Sequence, residues 1–168
     1  INPVSTLTVT DGSSCGNGSM TLIANSTEAI SWYDAPGGNL LATGSTFTTP
    51  VLSSSLQYFA VAGGLCPSSP MTVNAVVNPI PVISLGNDTA IETGNTITLD
   101  AGSGFATYLW STSETTQLIT TGIGGDYSVL VTDVNGCTAS DTISISVISK
   151  AGAAVSALVS EVYPNPFN

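Results

Sequence analysis

Three cysteines are the residues of this sequence best suited to chemistry, because a thiol can form a disulfide, bind a metal or act as a nucleophile. A bridge between Cys15 and Cys66 would close a loop of about 50 residues and contribute about 4 kcal/mol in the chain-entropy treatment. We predict this disulfide. Cys137 is then an unpaired thiol, either buried or linked to another chain. Zinc is excluded, because three cysteines in a chain without histidine cannot complete a tetrahedral site.

The charged residues exclude several classes of function. Eleven acidic residues stand against one basic residue, Lys150, so the net charge is −10. Nucleic acid and anionic membrane surfaces are therefore not expected as partners. Without histidine the usual general base is missing, and neither a Ser-His-Asp nor a Cys-His site can be built from this chain alone. A carboxylate pair for glycoside hydrolysis can always be chosen among eleven acids, so we predict no catalytic residues and no enzyme.

Calcium is the remaining metal to consider. Hard cations need several converging oxygen ligands, and aspartates near strand ends could supply them. The spacing matches neither an EF-hand nor a calcium-binding nonapeptide, and a solvated acidic face accounts for the same residues. We expect no bound cofactor, with calcium as the alternative. The aspartates concerned are Asp88, Asp100, Asp126, Asp133 and Asp141.

The composition indicates an all-β fold. Ser and Thr make up 46 of 168 residues, hydrophobic residues 42% and charged residues 7%, with 17 Gly and 9 Pro. Such a composition favours strands and turns over helices, and its apolar content is enough for packed cores. No run of about 18 apolar residues could span a membrane. The sequence opens without Met or a leader, so we expect it to begin inside a longer polypeptide.

The chain contains an internal repeat, and each copy consists of short alternating runs separated by turn residues, as in a β-sandwich. Trp32 and Trp110 occupy the same place in the two copies, as do Tyr58 and Tyr127. A tryptophan packed between two sheets and a tyrosine at the start of a late strand are typical of immunoglobulin-like sandwiches. The matched segments are INPVSTLTV (1–9) with VNPIPVISL (77–85), MTLIA (20–24) with ITLDA (97–101), ISW (30–32) with YLW (108–110), and YFAVAGGLC (58–66) with YSVLVTDVNGC (127–137).

The repeat divides the chain into two predicted domains and a tail. Residues 1–76 form one immunoglobulin-like β-sandwich and 77–148 a second, followed by a linker at 149–161 and an extended stub at 162–168. The alignment places Cys137 where the first copy has Cys66, and Glu92 where it has Cys15, so Cys137 has no partner within its own copy.

Both copies resemble a known family of repeats. The first copy, from CGNGSMTLIA to YFAVAGGLC, resembles the immunoglobulin-like repeats of very large Bacteroidota surface proteins. The second, from LGNDTAIETG to VNGCTASDTISISV, is similar to the polycystic-kidney-disease-like repeats that often follow them. In that family a cysteine after LGNDT usually pairs with the one in NGC, and this sequence departs from the pattern at Glu92.

The resemblance also implies sites outside the sandwiches. The closing VYPNPFN resembles the start of the sorting domain that the type IX secretion system recognises, which assigns Tyr163, Pro164, Asn165, Pro166 and Phe167 to a sorting motif. Asp-Thr-Ala at 88–90 and Asp-Thr-Ile at 141–143 resemble the motif on which this phylum O-glycosylates secreted proteins, which nominates Thr89 and Thr142. Otherwise Asp88 and Asp141 simply form turns and strand ends.

These observations lead to one interpretation with two alternatives. The chain is expected to be a non-catalytic, structural or adhesive segment of a secreted outer-surface protein that forms a stalk or filament. Its expected partners are the type IX secretion machinery, neighbouring repeats or further copies of the chain, and glycans or surfaces. The first alternative is a spacer or carbohydrate-binding accessory region of a secreted hydrolase. The second is a homopolymeric extracellular fibre in which INPVSTLTVT completes the sandwich of the next chain.

Overall fold

The computed structural model describes residues 6–63 and 66–149, and within these ranges all regular structure is β-strand. The predicted all-β fold class is confirmed. No helix in these ranges is long and apolar enough to cross a membrane. The chain divides into two compact units, one made of Ile1–Pro81 with Val134–Cys137 and the other of Val82–Asp133 with Thr138–Asn168. The predicted linker, apart from Ser149, and the stub at 162–168 lie outside the described residues.

The first unit is a sandwich of two sheets. The strands β1, β3 and β6 form a three-stranded sheet in the order β1-β3-β6, and the other five form a sheet in the order β2-β8-β7-β4-β5. All neighbouring strands are antiparallel except β2 and β8, which are parallel. The strands are β1 (Thr8–Thr10), β2 (Gly12–Cys15), β3 (Thr21–Asn25), β4 (Ile30–Tyr33), β5 (Leu40–Thr43), β6 (Thr46–Thr48), β7 (Leu56–Ala62) and β8 (Met71–Asn78).

The second unit repeats this plan with fewer strands. One sheet has the order β10-β12 and the other the order β11-β13-β14-β9, with β9 parallel to β14 as β2 is to β8. The segment 82–88 is not a strand, although Ile83 and Leu85 pack against the core. The strands are β9 (Thr89–Glu92), β10 (Ile97–Asp100), β11 (Thr107–Trp110), β12 (Leu118–Thr121), β13 (Gly125–Thr132) and β14 (Thr138–Ile148).

The period-two pattern of the sequence accounts for the strands. In β7, Tyr58, Ala60 and Ala62 are buried while the residues between them are partly exposed, which is the pattern of a sheet with one face on a core. The same alternation recurs in β13, where Tyr127, Val129 and Val131 are buried. A slip of one residue would turn all of these side chains to the outer face, so burial fixes the register.

The two tryptophans are the centres of the two cores, as predicted. Trp32 is fully buried and its indole Nε1–H donates to the Gly44 carbonyl oxygen at 2.8 Å. Trp110 is 2% exposed and donates in the same way to the Thr116 carbonyl, also at 2.8 Å. Each indole is therefore packed on both faces and still hydrogen-bonded, which removes the cost of burying its N–H.

Tyr127 forms the tyrosine corner that its position predicted. Its hydroxyl donates to the Ile123 carbonyl at 3.0 Å, four residues upstream, and lies 2.6 Å from the Thr121 hydroxyl oxygen. Tyr58 occupies the equivalent place in the first unit, where its ring packs edge-on against Phe47 with centroids 5.0 Å apart. Both tyrosines are buried, so they are architectural and unavailable to a ligand.

Candidate functional site: disulfide, aspartates and outer sheet face

The disulfide joins Cys15 to Cys137, with an S–S distance of 2.04 Å and Cα atoms 5.5 Å apart. The predicted Cys15–Cys66 bridge is therefore wrong, and so is the prediction that Cys137 is an unpaired thiol. Cys137 is fully buried, and Cys66 is exposed. The prediction failed because it assumed that each sequence repeat closes on itself. The segment Val134–Cys137 instead belongs to the first unit, although β13 and β14 on either side of it belong to the second.

The end of β2 holds Cys15 in place for this bridge. Cys15 is the last residue of β2 and is paired with Asn78 at the end of β8. Gly16 follows in the left-handed region, with φ of 68°, and its N–H donates to the Asn78 carbonyl at 2.7 Å. This backbone conformation favours glycine, and a Cβ at Gly16 would lie 2.9 Å from Ile80 Cδ1, so a larger residue would strain the backbone and displace the Ile80 side chain.

Two aspartates at equivalent positions, just before β2 and just before β9, attach the chain to the last strand of each sandwich. Asp11 lies between β1 and β2, and its carboxylate accepts hydrogen bonds from the backbone N–H of Asn74 at 2.7 Å and from its side-chain Nδ2 at 2.9 Å. Asp88 immediately precedes β9 and accepts the backbone N–H of Ser144 at 2.9 Å. At Asp11 the chain passes from the sheet that contains β1 to the sheet that contains β2. The sequence analysis missed this role, and also missed β2 and β9, although the aligned DGSSC and DTAIE segments were the available signal.

Asp141 makes a comparable attachment in the second unit. Its carboxylate accepts the backbone N–H of Leu85 at 2.7 Å, a residue of the segment that precedes Asp88. The hydrogen bonds from Leu85 and from the backbone of Thr142 lower the pKa of Asp141. The side-chain hydrogen bond from Asn74, followed by its backbone hydrogen bond, lowers the pKa of Asp11. Both carboxylates are thus tied to structural roles.

The aspartates proposed as calcium ligands are not brought together in the part of the chain that the structure describes, where no group of three or more acidic, cysteine or histidine side chains is arranged to hold a metal ion. Asp100 instead accepts the N–H of Gly102 at 2.7 Å and the side-chain N–H of Gln117 at 2.9 Å. These two hydrogen bonds, that from Gln117 first, lower the pKa of Asp100. Its carboxylate closes a turn.

The two nominated glycosylation threonines have different surroundings. Thr89 is the first residue of β9 and is half-buried, whereas Thr142 lies in β14 and is exposed. The aspartates that precede them, Asp88 and Asp141, are the hydrogen-bonded ones just described. Glycosylation stays a prediction at both threonines, and Thr142 is the more accessible of the two. The sorting motif, Tyr163–Phe167, lies outside the described residues.

The outer face of the five-stranded sheet carries a row of large apolar side chains, which we call the aromatic row: Leu40, Tyr33 and Phe59. Tyr33 of β4 is paired with Phe59 of β7 on one side and with Leu40 of β5 on the other. A β-bulge between Trp32 and Tyr33 turns Leu40 to the outer face, where it is 57% exposed. Tyr33 and Phe59 are half-buried. The sequence analysis did not identify this row.

The second unit has no aromatic row. At the positions that correspond to Tyr33 and Phe59 it has Ser111, which directly follows β11, and Ser128 of β13. Among the described strands β11 lies at the edge of its sheet, so Leu40 of β5 has no counterpart there. The backbone N–H of Ser111 donates to the Ser128 carbonyl at 2.8 Å, and Ser128 is paired with Thr142. A sandwich with the same core plan therefore forms with serine at the positions of Tyr33 and Phe59.

Comparisons with known proteins agree with the fold. Residues 3–79 match the family described as "Ig-like domain CHU_C associated". No curated protein sequence shows significant similarity to the chain. The matched residues are the whole first sandwich up to the end of β8, which makes that part of the chain an immunoglobulin-like domain. The family match ends before the second unit, which repeats the strand plan of the first, including the parallel pairing of its first and last strands.

Several solved structures are similar to the chain at low identity. A structure of DIP-gamma IG1+IG2 has 11% identity and a TM-score of 0.41, with 86% of this chain and 98% of that chain covered. The fibronectin(III)-like modules of Clostridium thermocellum CbhA have 12% identity and a TM-score of 0.44, covering 86% and 95%. A fragment of titin domains I67–I69 has 13% identity and a TM-score of 0.45, covering 85% of this chain and 66% of that one. The fold assignment rests on the strand order and not on these neighbours.

Proposed function

We propose that the chain is a non-catalytic, structural and adhesive segment of a secreted cell-surface protein. The observation that supports this most directly is the repetition of one sandwich plan in two successive units, each with its tryptophan and tyrosine inside the core. Immunoglobulin-like modules in tandem are typical of proteins that project or connect other domains, and a fold alone does not supply chemistry.

An extracellular setting is supported by the cysteines. A disulfide persists in oxidising compartments and is uncommon in the cytosol, and Cys15 and Cys137 form one here. Export by the type IX secretion system rests on the sequence VYPNPFN at 162–168 and remains part of the proposal. Neighbouring repeats, further copies of the chain and the secretion machinery are its proposed partners.

The fibre alternative loses support in its strand-donation form. That alternative requires the first strand to pair with another chain. Instead β1 pairs with β3 of its own chain, with Val9 opposite Ala24, and β2 pairs with β8. A stalk of tandem repeats needs no exchange of strands between chains, whereas a fibre would have to assemble through sheet edges other than that of the first strand.

The proposal is tested in the organism that produces the protein. An antibody against residues 6–149 should bind intact, unpermeabilised cells or material released from them. Deleting Tyr163–Phe167 from the gene should retain the protein inside the outer membrane, while deleting the same number of residues from the preceding 151–161 segment should not. Antibody binding only after permeabilisation of wild-type cells would rule out surface display, and normal display of the 163–167 deletion would rule out the sorting role.

A further inference from the structure

We propose that the aromatic row of the first unit is a binding platform for a neutral polysaccharide. This rests on the adhesive role proposed above and names its ligand class. The row crosses three neighbouring strands, with Leu40, Tyr33 and Phe59 in register. Because neighbouring strands lie about 4.8 Å apart, the row is roughly 10 Å long, which matches about two sugar rings lying flat on the sheet.

The comparison between the two units separates ligand binding from architecture. In the second unit, Ser111 and Ser128 replace the two rings at the corresponding positions, and the sandwich is complete without them. Tyr33 and Phe59 are half-buried on the outer face, and because the second unit has serines at these positions, their presence side by side indicates a contact surface.

Polar groups surround the row in a manner suited to a polyhydroxylated ligand. On one side Gln57 Nε2 donates to Asn74 Oδ1 at 3.2 Å, and Gln57 is exposed. Beyond Tyr33, the Asp34 carboxylate accepts the backbone N–H of Asn39 at 2.7 Å and its Nδ2 at 2.9 Å. Flat aromatic surface flanked by amides and hydroxyls binds the apolar face of a sugar ring while hydrogen-bonding its hydroxyl groups.

The charges of the chain select among possible occupants. The sequence has one basic residue, Lys150, and a net charge of −10. A phosphorylated, sulfated or uronate-rich ligand would find no cation on the platform and would meet the Asp34 carboxylate. A second copy of the chain would bring another ten negative charges, which opposes association at low ionic strength. An uncharged glycan encounters neither repulsion.

The decisive measurement is retention of the whole chain on insoluble or immobilised polysaccharides. We expect it to bind at least one neutral member of a panel of cellulose, xylan, mannan and β-1,3-glucan, and not polygalacturonate. The variant Y33S/F59S, which installs the residue type of the second unit, should bind at least tenfold more weakly. The matched control is L109S/L130S. This variant removes a pair of exposed leucines, 52% and 42% exposed, that are paired on the outer face of the second unit, and it should bind as the wild type does.

A second measurement keeps the test independent of the variants. In wild-type protein, titration with the oligosaccharide of the retained polysaccharide should shift the NMR signals of residues 31–33, 40–43 and 57–61, and leave those of β11 and β13 unchanged.

The inference is overturned by any of four results: no retention on the four neutral polysaccharides, equal retention of Y33S/F59S, shifts confined to the second unit, or binding only to a cationic peptide or to further copies of the chain. If the chain binds none of these polysaccharides but is displayed normally on intact cells, the proposed surface role is retained and only the proposed ligand is rejected. Absence from the cell surface would remove the proposed function itself.

Discussion

Asp11 and Asn74 are joined by two hydrogen bonds, one from the Asn74 backbone N–H at 2.7 Å and one from its side-chain Nδ2 at 2.9 Å. They link the crossover between β1 and β2 to β8, 63 positions further along the chain. Asp88 and Ser144 repeat the contact in the second unit. In each unit a carboxylate accepts a backbone N–H of the last strand just before the strand that pairs with it in parallel, so one acidic residue stabilises this attachment in each sandwich.

The first prediction is a loss of stability in acid. Hydrogen bonds lower the pKa of Asp11, Asp34, Asp100 and Asp141 below the ordinary value of 3.8. Carboxylates that bind protons less tightly when folded stabilise the fold fully above that value, and this contribution is lost as the pH falls through the lowered folded pKa values. The thermal midpoint should therefore be flat from about pH 7 to pH 5 and fall below about pH 4. Calorimetry across this range measures it.

A pair of variants assigns part of this dependence to the crossover aspartate. Asp11→Asn keeps the size of the side chain and removes the negative charge from the group that accepts the two hydrogen bonds of Asn74. The thermal midpoint should therefore be lower at neutral pH and should vary less as the pH falls into the acid range. Asp126→Asn, which removes an exposed charge from β13, is the control and should retain the wild-type profile. Identical profiles for the two variants would show that general charge repulsion, not the hydrogen bonds of Asp11, sets the pH dependence.

The second prediction concerns the tyrosine corner. Tyr127→Phe removes hydrogen bonds to the Ile123 carbonyl and the Thr121 hydroxyl and leaves both partly buried groups without this partner. The free energy of unfolding should fall by about 1–2 kcal/mol, measured by urea denaturation. Among the described residues the Tyr58 hydroxyl has no such partner, so Tyr58→Phe is the control and should cost less than about 0.5 kcal/mol. Equal losses would contradict the corner assignment.

The third prediction uses the two tryptophans as separate reporters. Trp32→Phe or Trp110→Phe removes an indole N–H that binds a carbonyl at 2.8 Å and reduces packing in a full core, which should cost about 2–4 kcal/mol. In each variant the remaining tryptophan reports on the unit whose core is intact. Circular dichroism should therefore show an earlier urea transition than the fluorescence does. Coincident transitions at the wild-type midpoint would mean that the indole is not part of the core.

The sequence predicted the parts of this fold that depend on local pattern. The period-two burial around Tyr58 and Tyr127, and the matching positions of Trp32 and Trp110, are visible because a strand half-buried on a core alternates along its own length. The strands β2 and β9 escaped prediction because they are short and polar and form by parallel pairing with the last strand of the unit. Long-range pairing of this kind has no local signature.

The outer face and the disulfide were beyond sequence reasoning for a different reason. Phe59 alternates as expected for a strand and resembles an ordinary hydrophobic strand residue, and only the register of β4 and β7 shows that it lies beside Tyr33. The bulge that places Leu40 on the other side of Tyr33 belongs to the pairing of β4 with β5. Cysteine pairing likewise follows the fold and not the repeat. The Val134–Cys137 segment belongs to the first unit, whereas β13 and β14 on either side of it belong to the second.

The last prediction is the cysteine connectivity. Proteolysis of the non-reduced protein should yield one linked pair of peptides that contain Cys15 and Cys137, and Cys66→Ser should leave this pair intact. The bridge spans 122 positions, so in the chain-entropy treatment its loss removes about 5 kcal/mol of stability. Cys15→Ser and Cys137→Ser should therefore unfold at clearly lower urea concentration than Cys66→Ser, and the double variant should be no less stable than either single one. A linked pair that contains Cys66 would contradict the structure and would restore the assumption that each repeat closes on itself.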